Sequence, residues 1–207
     1  MAPPYREWVR GSLLGRVEAP LIRALVALHI TPNAVTMGGF LLAVGAACLV
    51  GAGMLLAGGV VFFVASLMDM VDGTLARATG QQSRAGALLD STMDRLGEAA
   101  LLLGLSVHGV LSDMGEGRLL AFMVLIILAL VSSQMVSYLR ARGEGLGIET
   151  KVGLMTRSER VVLLSVGVAL AGLGVDFAIE SVLGIIAALS TYTMLQRLAH
   201  VWRQVKG

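Results

Sequence analysis

The chain has 207 residues, 56% of them hydrophobic and only 14% charged, with a formal net charge of +2 and a mean hydropathy of +0.81. That balance excludes an ordinary soluble domain and indicates a polytopic membrane protein. The small basic excess points to anionic lipid headgroups rather than nucleic acid, since no aromatic-interleaved basic patch accompanies it. The one cysteine, Cys48, excludes a disulfide framework or a Cys-based metal site.

In chain order, the first thirty residues are too charged for a signal peptide and lack an early apolar core with a cleavage site. Within them, "RVEAPLIRALVALHI" places Arg16, Glu18, Arg23 and His29 among apolar residues, the composition of a helix lying in the membrane interface. Thr31-Pro32-Asn33 supplies a capping hydroxyl and then a proline suited to a first turn, so a helix is expected to begin there. Apolar runs at 35–56, 57–70, 88–107, 119–139, 161–173 and 178–198 approach or reach the roughly 20 residues needed to cross a bilayer. The second and fifth are short unless their helices continue past the run. The glycine-rich, mixed-charge stretch "ARGEGLGIETKVGLMTRSER" breaks the chain before the fifth. No repeat or linker divides the sequence. The expected fold is all-α integral membrane: six transmembrane helices preceded by an N-terminal interfacial amphipathic helix. This is one domain over 1–207, with the interfacial segment at 1–30 and the six-span core at about 35–198.

Threading the chain through six spans places every Lys and Arg on one side except Arg118. That residue shares the other side with Asp113, Glu116, Asp176 and Glu180. The positive-inside rule then puts both termini and the connection between the second and third spans in the cytoplasm, in a cell-membrane protein. His29, His108 and His200 are scattered, have no carboxylate at helical spacing and read as interfacial or structural.

That cytoplasmic connection is "DMVDGTLARATGQQSRAGALLDSTMD". Asp69 and Asp72 are three apart and Asp90 and Asp94 four apart, so on helices each pair shares a face, and the connection brings the two pairs to one membrane edge. Each carboxylate near a membrane costs a few kcal/mol, about 2.5–3.5 on insertion scales, and like-charged pairs add repulsion. With only Arg77, Arg84 and Arg95 nearby, one or two divalent ions are the natural compensation. Oxygen ligands without Cys or His favour Mg²⁺, with Mn²⁺ or Ca²⁺ as alternatives. Two such ions would hold phosphoryl or pyrophosphate oxygens. Gly73, Ala76 and Gly86 keep both faces free of bulk, Arg77 suits a phosphate, and Thr79 and Ser83 offer hydroxyls. A divalent-cation transporter would also gather carboxylates, but near the midplane with a path to both sides. Here all four lie at one edge.

The complete spacing, D-x2-D-G-x2-A-R-x8-G-x3-D-x3-D, resembles the signature of the CDP-alcohol phosphotransferase family, matched at Asp69, Asp72, Gly73, Ala76, Arg77, Gly86, Asp90 and Asp94. The resemblance implies transfer of a substituted phosphate from a CDP-linked donor to an alcohol, with CMP leaving. It implies Asp69, Asp72 and Asp90 as ligands to two metal ions, and Asp94 as a second-metal ligand and catalytic general base. It also implies contacts to the CDP donor from Gly73, Ala76, Arg77, Ser83 and Gly86 and, at the start of the first span, from Pro32, Asn33, Ala34 and Val35. A homodimer is a further implication, and Gly104, Gly167 and Gly184 would permit close helix packing.

Arg140, Arg157, Arg160 and Arg197 fall at the cytoplasmic ends of the last three spans. Such arginines anchor spans, and they also suit an acceptor that already carries a phosphate. The segments "LLDSTMDR", "SYLRARGE" and "RSER" resemble the phosphatidylinositol phosphate synthase branch of the family. In that branch, CDP-diacylglycerol meets inositol 1-phosphate, and positions matching Arg140, Arg160 and Arg197 hold the acceptor phosphate. Phosphatidylglycerol phosphate synthase, with glycerol 3-phosphate as acceptor, is the alternative within the family. The donor's lipid tails are open, an archaeal-type lipid included.

Overall fold

The computed structural model describes residues 13–150 and 152–206. Seven helices account for nearly all of them: α1 Leu13–Ala27, α2 Pro32–Gly51, α3 Leu55–Thr79, α4 Arg84–Leu111, α5 Glu116–Gly145, α6 Arg157–Gly172 and α7 Ala178–Lys206. No strand occurs among the described residues. The first twelve residues of the expected interfacial segment, with Arg6 and Arg10, and also Lys151, lie outside the described residues.

Local chemistry sets the helix ends around the acidic connection. Thr31 is extended and caps α2, its Oγ1 accepting from the Ala34 N–H at 3.3 Å, with Pro32 in the first turn. The second apolar run does not end its helix: α3 continues to Thr79 and stops at Gly80, whose left-handed backbone (φ 68°) is available without strain to glycine. Ser83 then caps α4, its Oγ accepting from the Gly86 N–H at 2.9 Å. At α6 the Thr156 N–H donates to Glu159 Oε2 at 2.8 Å, and the Thr156 hydroxyl reaches the same oxygen, closing a capping box.

Among the described residues, four helices, α2, α3, α5 and α7, are long and apolar enough to cross a membrane. The other two expected spans differ in kind: α4 carries Asp90, Asp94, Arg95 and Glu98 between its first turns and its middle, and α6 has only 16 residues. Large apolar side chains such as Leu103, Leu120 and Ile127 stand exposed along the helices, an arrangement that lipid satisfies and water does not.

The two acid-bearing helices barely touch. Both α3 and α4 pack chiefly against α2, while α5 packs on α7 and α6 lies on α3 and α7. The core runs through Val50, Phe62, Leu101, Leu105, Phe122, Leu164 and Leu183. Close backbone approach makes the α2–α4 contact possible: a Cβ on Gly104 would sit 2.3 Å from the Ala47 carbonyl oxygen. Gly167 is similarly filled by Val182, whereas nothing lies within 4 Å of a Cβ at Gly184. Ile22 of α1 joins Val35 and Leu75 in a smaller cluster beside the acidic end. At the far ends of α5 and α7, Arg118 Nε donates to Glu180 Oε1 at 2.8 Å, and its guanidinium stacks over Phe177, 4.7 Å from the ring centre.

Candidate active site

Asp69 and Asp72 extend from the last turns of α3, and Asp90 and Asp94 from the first turns of α4. Asp69, Asp72 and Asp90 each present a carboxylate oxygen within 4.8 Å of the other two. Asp72 is buried and oriented from α2, where Thr36 Oγ1 donates to its Oδ2 at 2.5 Å. Asp94 is held differently. Its Oδ2 lies 2.5 Å from Arg157 Nη1, and that nitrogen also donates to Asp69 Oδ2 at 2.6 Å. All four carboxylates therefore gather at one place, three around a common point and the fourth bridged to Asp69 by a guanidinium.

The donor set fits a hard divalent cation. It is all oxygen, and Asp90 Oδ1 is buried with no hydrogen-bond partner among the described residues, an orphaned acceptor of the kind an ion would satisfy. Arg157 offsets only part of the charge that four clustered carboxylates bring.

Two cavities meet at Asp90. The first, about 360 Å³, is walled by the start of α2, the end of α3 and the start of α4. Of the residues expected to hold the CDP donor, Pro32, Asn33, Gly73, Ala76, Arg77, Ser83 and Gly86 line it, together with Thr36, Gln81 and Gln82. Ala34 and Val35 lie on other faces of α2: Ala34 is exposed, and Val35, 3% exposed, packs with Ile22 and Leu75. At about 100° per residue (3.6 per turn), Pro32, Asn33 and Thr36 share one face of α2, and Ala34 and Val35 fall outside it. A Cβ on Gly86 would approach Ser83 Oγ to 3.0 Å and Asn33 Oδ1 to 3.3 Å. Arg77 is steadied by its own helix, Nη2 donating to Thr74 Oγ1 at 2.9 Å.

The second cavity, about 440 Å³, is lined by Asp90, Asp94, Arg95, Ser137, Thr156 and all four arginines expected at the acceptor: Arg140, Arg157, Arg160 and Arg197. Their employment differs. Arg140 is exposed and pairs with Glu144 one turn on, Nε to Oε1 at 3.0 Å. Arg157 bridges Asp69 and Asp94. Arg160 is buried against Glu98, Nε to Oε1 at 2.7 Å and Nη2 to Oε2 at 2.9 Å. Arg197 donates from Nε to the Val152 carbonyl and from Nη1 to the Val136 carbonyl, both at 2.8 Å, and so ties α7 to α5 and to the loop before α6. Sequence reasoning did not identify Thr36, Glu98 or Glu144. Glu98 leaves a sequence trace, as an acid one turn after Asp94 in "DRLGE", and so does Glu144, one turn after Arg140 in "RARGE".

The sequence matches the CDP-alcohol phosphatidyltransferase family over residues 29–202. It is similar to the phosphatidylinositol phosphate synthase of Corynebacterium glutamicum, 38% identical over 184 residues that cover 88% of this chain and 82% of that protein. It is also similar to the archaetidylinositol phosphate synthase of Methanothermobacter thermautotrophicus, 32% identical over 204 residues, covering 96% and 98% of the two chains. Two crystal structures of Mycobacterium tuberculosis phosphatidylinositol phosphate synthase resemble the fold with a TM-score of 0.81 at 32% identity. The one with CDP-DAG bound aligns over 90% of this chain and 94% of that chain. The one in complex with manganese and citrate aligns over 89% and 88%.

Proposed function

We propose that this chain, which belongs to the CDP-alcohol phosphatidyltransferase family, transfers the phosphatidyl group of CDP-diacylglycerol to inositol 1-phosphate, giving phosphatidylinositol phosphate and CMP. The observation that carries the reading is the junction at Asp90. A cleft of small residues with Arg77 opens on one side and a cavity with four arginines on the other, and Asp94 lines the second.

In this reading the CDP headgroup lies in the first cleft, where Gly73, Ala76 and Gly86 leave room against the backbone and Arg77 meets a phosphate. The acceptor's phosphate lies among Arg140, Arg157, Arg160 and Arg197. Asp94 accepts the proton of the attacking hydroxyl as that oxygen bonds to the lipid-linked phosphorus and the bond to CMP breaks. Asp69, Asp72 and Asp90, with Asp94, would hold divalent metal, two Mg²⁺ ions in our assignment. When bound, such ions polarise the pyrophosphate and neutralise charge on the departing CMP. Thr36 keeps Asp72 turned toward the cluster.

The same reading treats 1–207 as one domain of a homodimer in the cell membrane. In it α4 and α6 serve as the third and fifth of six spans, α1 lies in the interface, and both termini and the site face the cytoplasm. The asymmetric distribution of Lys and Arg supports that orientation. The relative named for archaetidyl transfer makes an ether-linked CDP donor the second arm to examine.

Product mass spectrometry tests the assignment directly. Purified protein with Mg²⁺ and CDP-diacylglycerol receives inositol 1-phosphate, glycerol 3-phosphate, serine and inositol in parallel, and the ether-linked donor is run alongside. Phosphatidylinositol phosphate is the expected product. Preferential turnover of glycerol 3-phosphate would replace this reading with phosphatidylglycerol phosphate synthesis.

A further inference from the structure

Arg160 and Glu98 form a fully buried bidentate pair, each side chain 1% exposed, between the start of α6 and the middle of α4. These helices pack mainly on other partners, so the pair is a direct tie between two elements otherwise held through their neighbours. The fork is used unevenly. Nε and Nη2 are taken by the carboxylate, while Nη1 is buried without a partner among the described residues, and Arg160 lines the arginine-rich cavity that Asp94 also lines. Glu98 does not line that cavity. It borders the narrow crevice beneath Asp69 and Asp94.

A guanidinium is planar, so fixing its Nε/Nη2 edge fixes the direction of its remaining N–H groups. Glu98 follows Asp94 by one helical turn and shares its face of α4. The element that carries the base therefore also sets the angle of a donor for the acceptor. The pair is neutral as a unit, so Arg160 supplies the cavity with direction more than net charge. We infer that Glu98 is a positioning residue for acceptor recognition, holding Arg160 so that Nη1 meets a phosphomonoester oxygen while Asp94 faces the attacking hydroxyl. This inference rests on the assignment of the second cavity to a phosphorylated acceptor.

The test is steady-state kinetics on the full chain in detergent or nanodiscs, with CDP-diacylglycerol and inositol 1-phosphate each varied. Glu98→Gln keeps the volume and removes the charge. It is expected to raise the acceptor KM by about tenfold or more, the scale of one charge-assisted hydrogen bond, with donor KM unchanged. In an Arg160→Gln background the same change should add almost nothing, because Glu98 acts through Arg160. Equal increases in both KM values, or effects of the two substitutions that multiply, would overturn the inference. If the Gln variant does not yield folded protein, judged by a CDP-diacylglycerol-dependent thermal shift, Glu98→Asp is read instead. It keeps the charge but withdraws the carboxylate by one methylene, and it should raise acceptor KM alone; an unchanged acceptor KM would overturn the inference. Wild-type turnover of inositol 1-phosphate tests the acceptor assignment separately.

Discussion

Arg157 Nη1 lies 2.5 Å from Asp94 Oδ2, joining the first residue of α6 to the carboxylate proposed as general base, and the same nitrogen reaches Asp69 at 2.6 Å. A cation held there would compete with a metal ion bound at Asp69. Arg157→Gln should therefore tighten Mn²⁺ binding to substrate-free protein, by about tenfold if one charge-assisted contact is released, while turnover falls. Isothermal titration of Mn²⁺ checks this. An unchanged Kd would mean that guanidinium and metal do not share the carboxylate.

Asp94→Asn keeps the shape and removes the proton acceptor. Turnover should fall by about 10²–10⁴-fold, the usual contribution of a positioned general base, with the thermal shift caused by CDP-diacylglycerol largely retained. CMP release at the wild-type rate would remove Asp94 from the base role.

Thr36 approaches Asp72 from a different helix and donates to it at 2.5 Å. Thr36→Val preserves the β-branched shape and deletes the hydroxyl, so Asp72 loses the bond that orients it. Metal affinity should weaken by about 10–100-fold, the usual effect of losing an outer-shell partner, with thermal stability in chelator changed little. Mn²⁺ titration of the variant, with a melting curve in EDTA, separates these effects.

Gly86 stands between Ser83 Oγ and Asn33 Oδ1, with 3.0 and 3.3 Å available to a Cβ. Gly86→Ala narrows the cleft proposed for the donor and presses on the cap of α4. Donor KM should rise several-fold, about 3–10-fold for an overpacking cost near 1 kcal/mol, while acceptor KM holds. A rise in acceptor KM alone would place the nucleotide elsewhere.

Much of this protein was legible in order along its chain, because the physics involved is local. Thr31-Pro32 announced a helix start through a cap that reaches only three residues. The three- and four-residue spacings of the aspartates put each pair on one face, and the apolar runs located the long helices. The signature from Asp69 to Asp94 carried the family. What the sequence left undecided depends on groups far apart in it. Arg157 finds Asp69 across a separation of 88 residues, and Arg160 finds Glu98 across 62. Arg140, Arg157, Arg160 and Arg197 look alike as a basic set. Arg140 pairs one turn along its own helix with Glu144, while the packing of α6 and α7 gave Arg157 two aspartates, Arg160 a buried glutamate and Arg197 two backbone carbonyls. Val35 turned inward toward Ile22 and Leu75 for the same reason. A guanidinium takes whichever acceptors the neighbouring helices bring within its reach, and only the tertiary arrangement of α4 to α7 decided which those were.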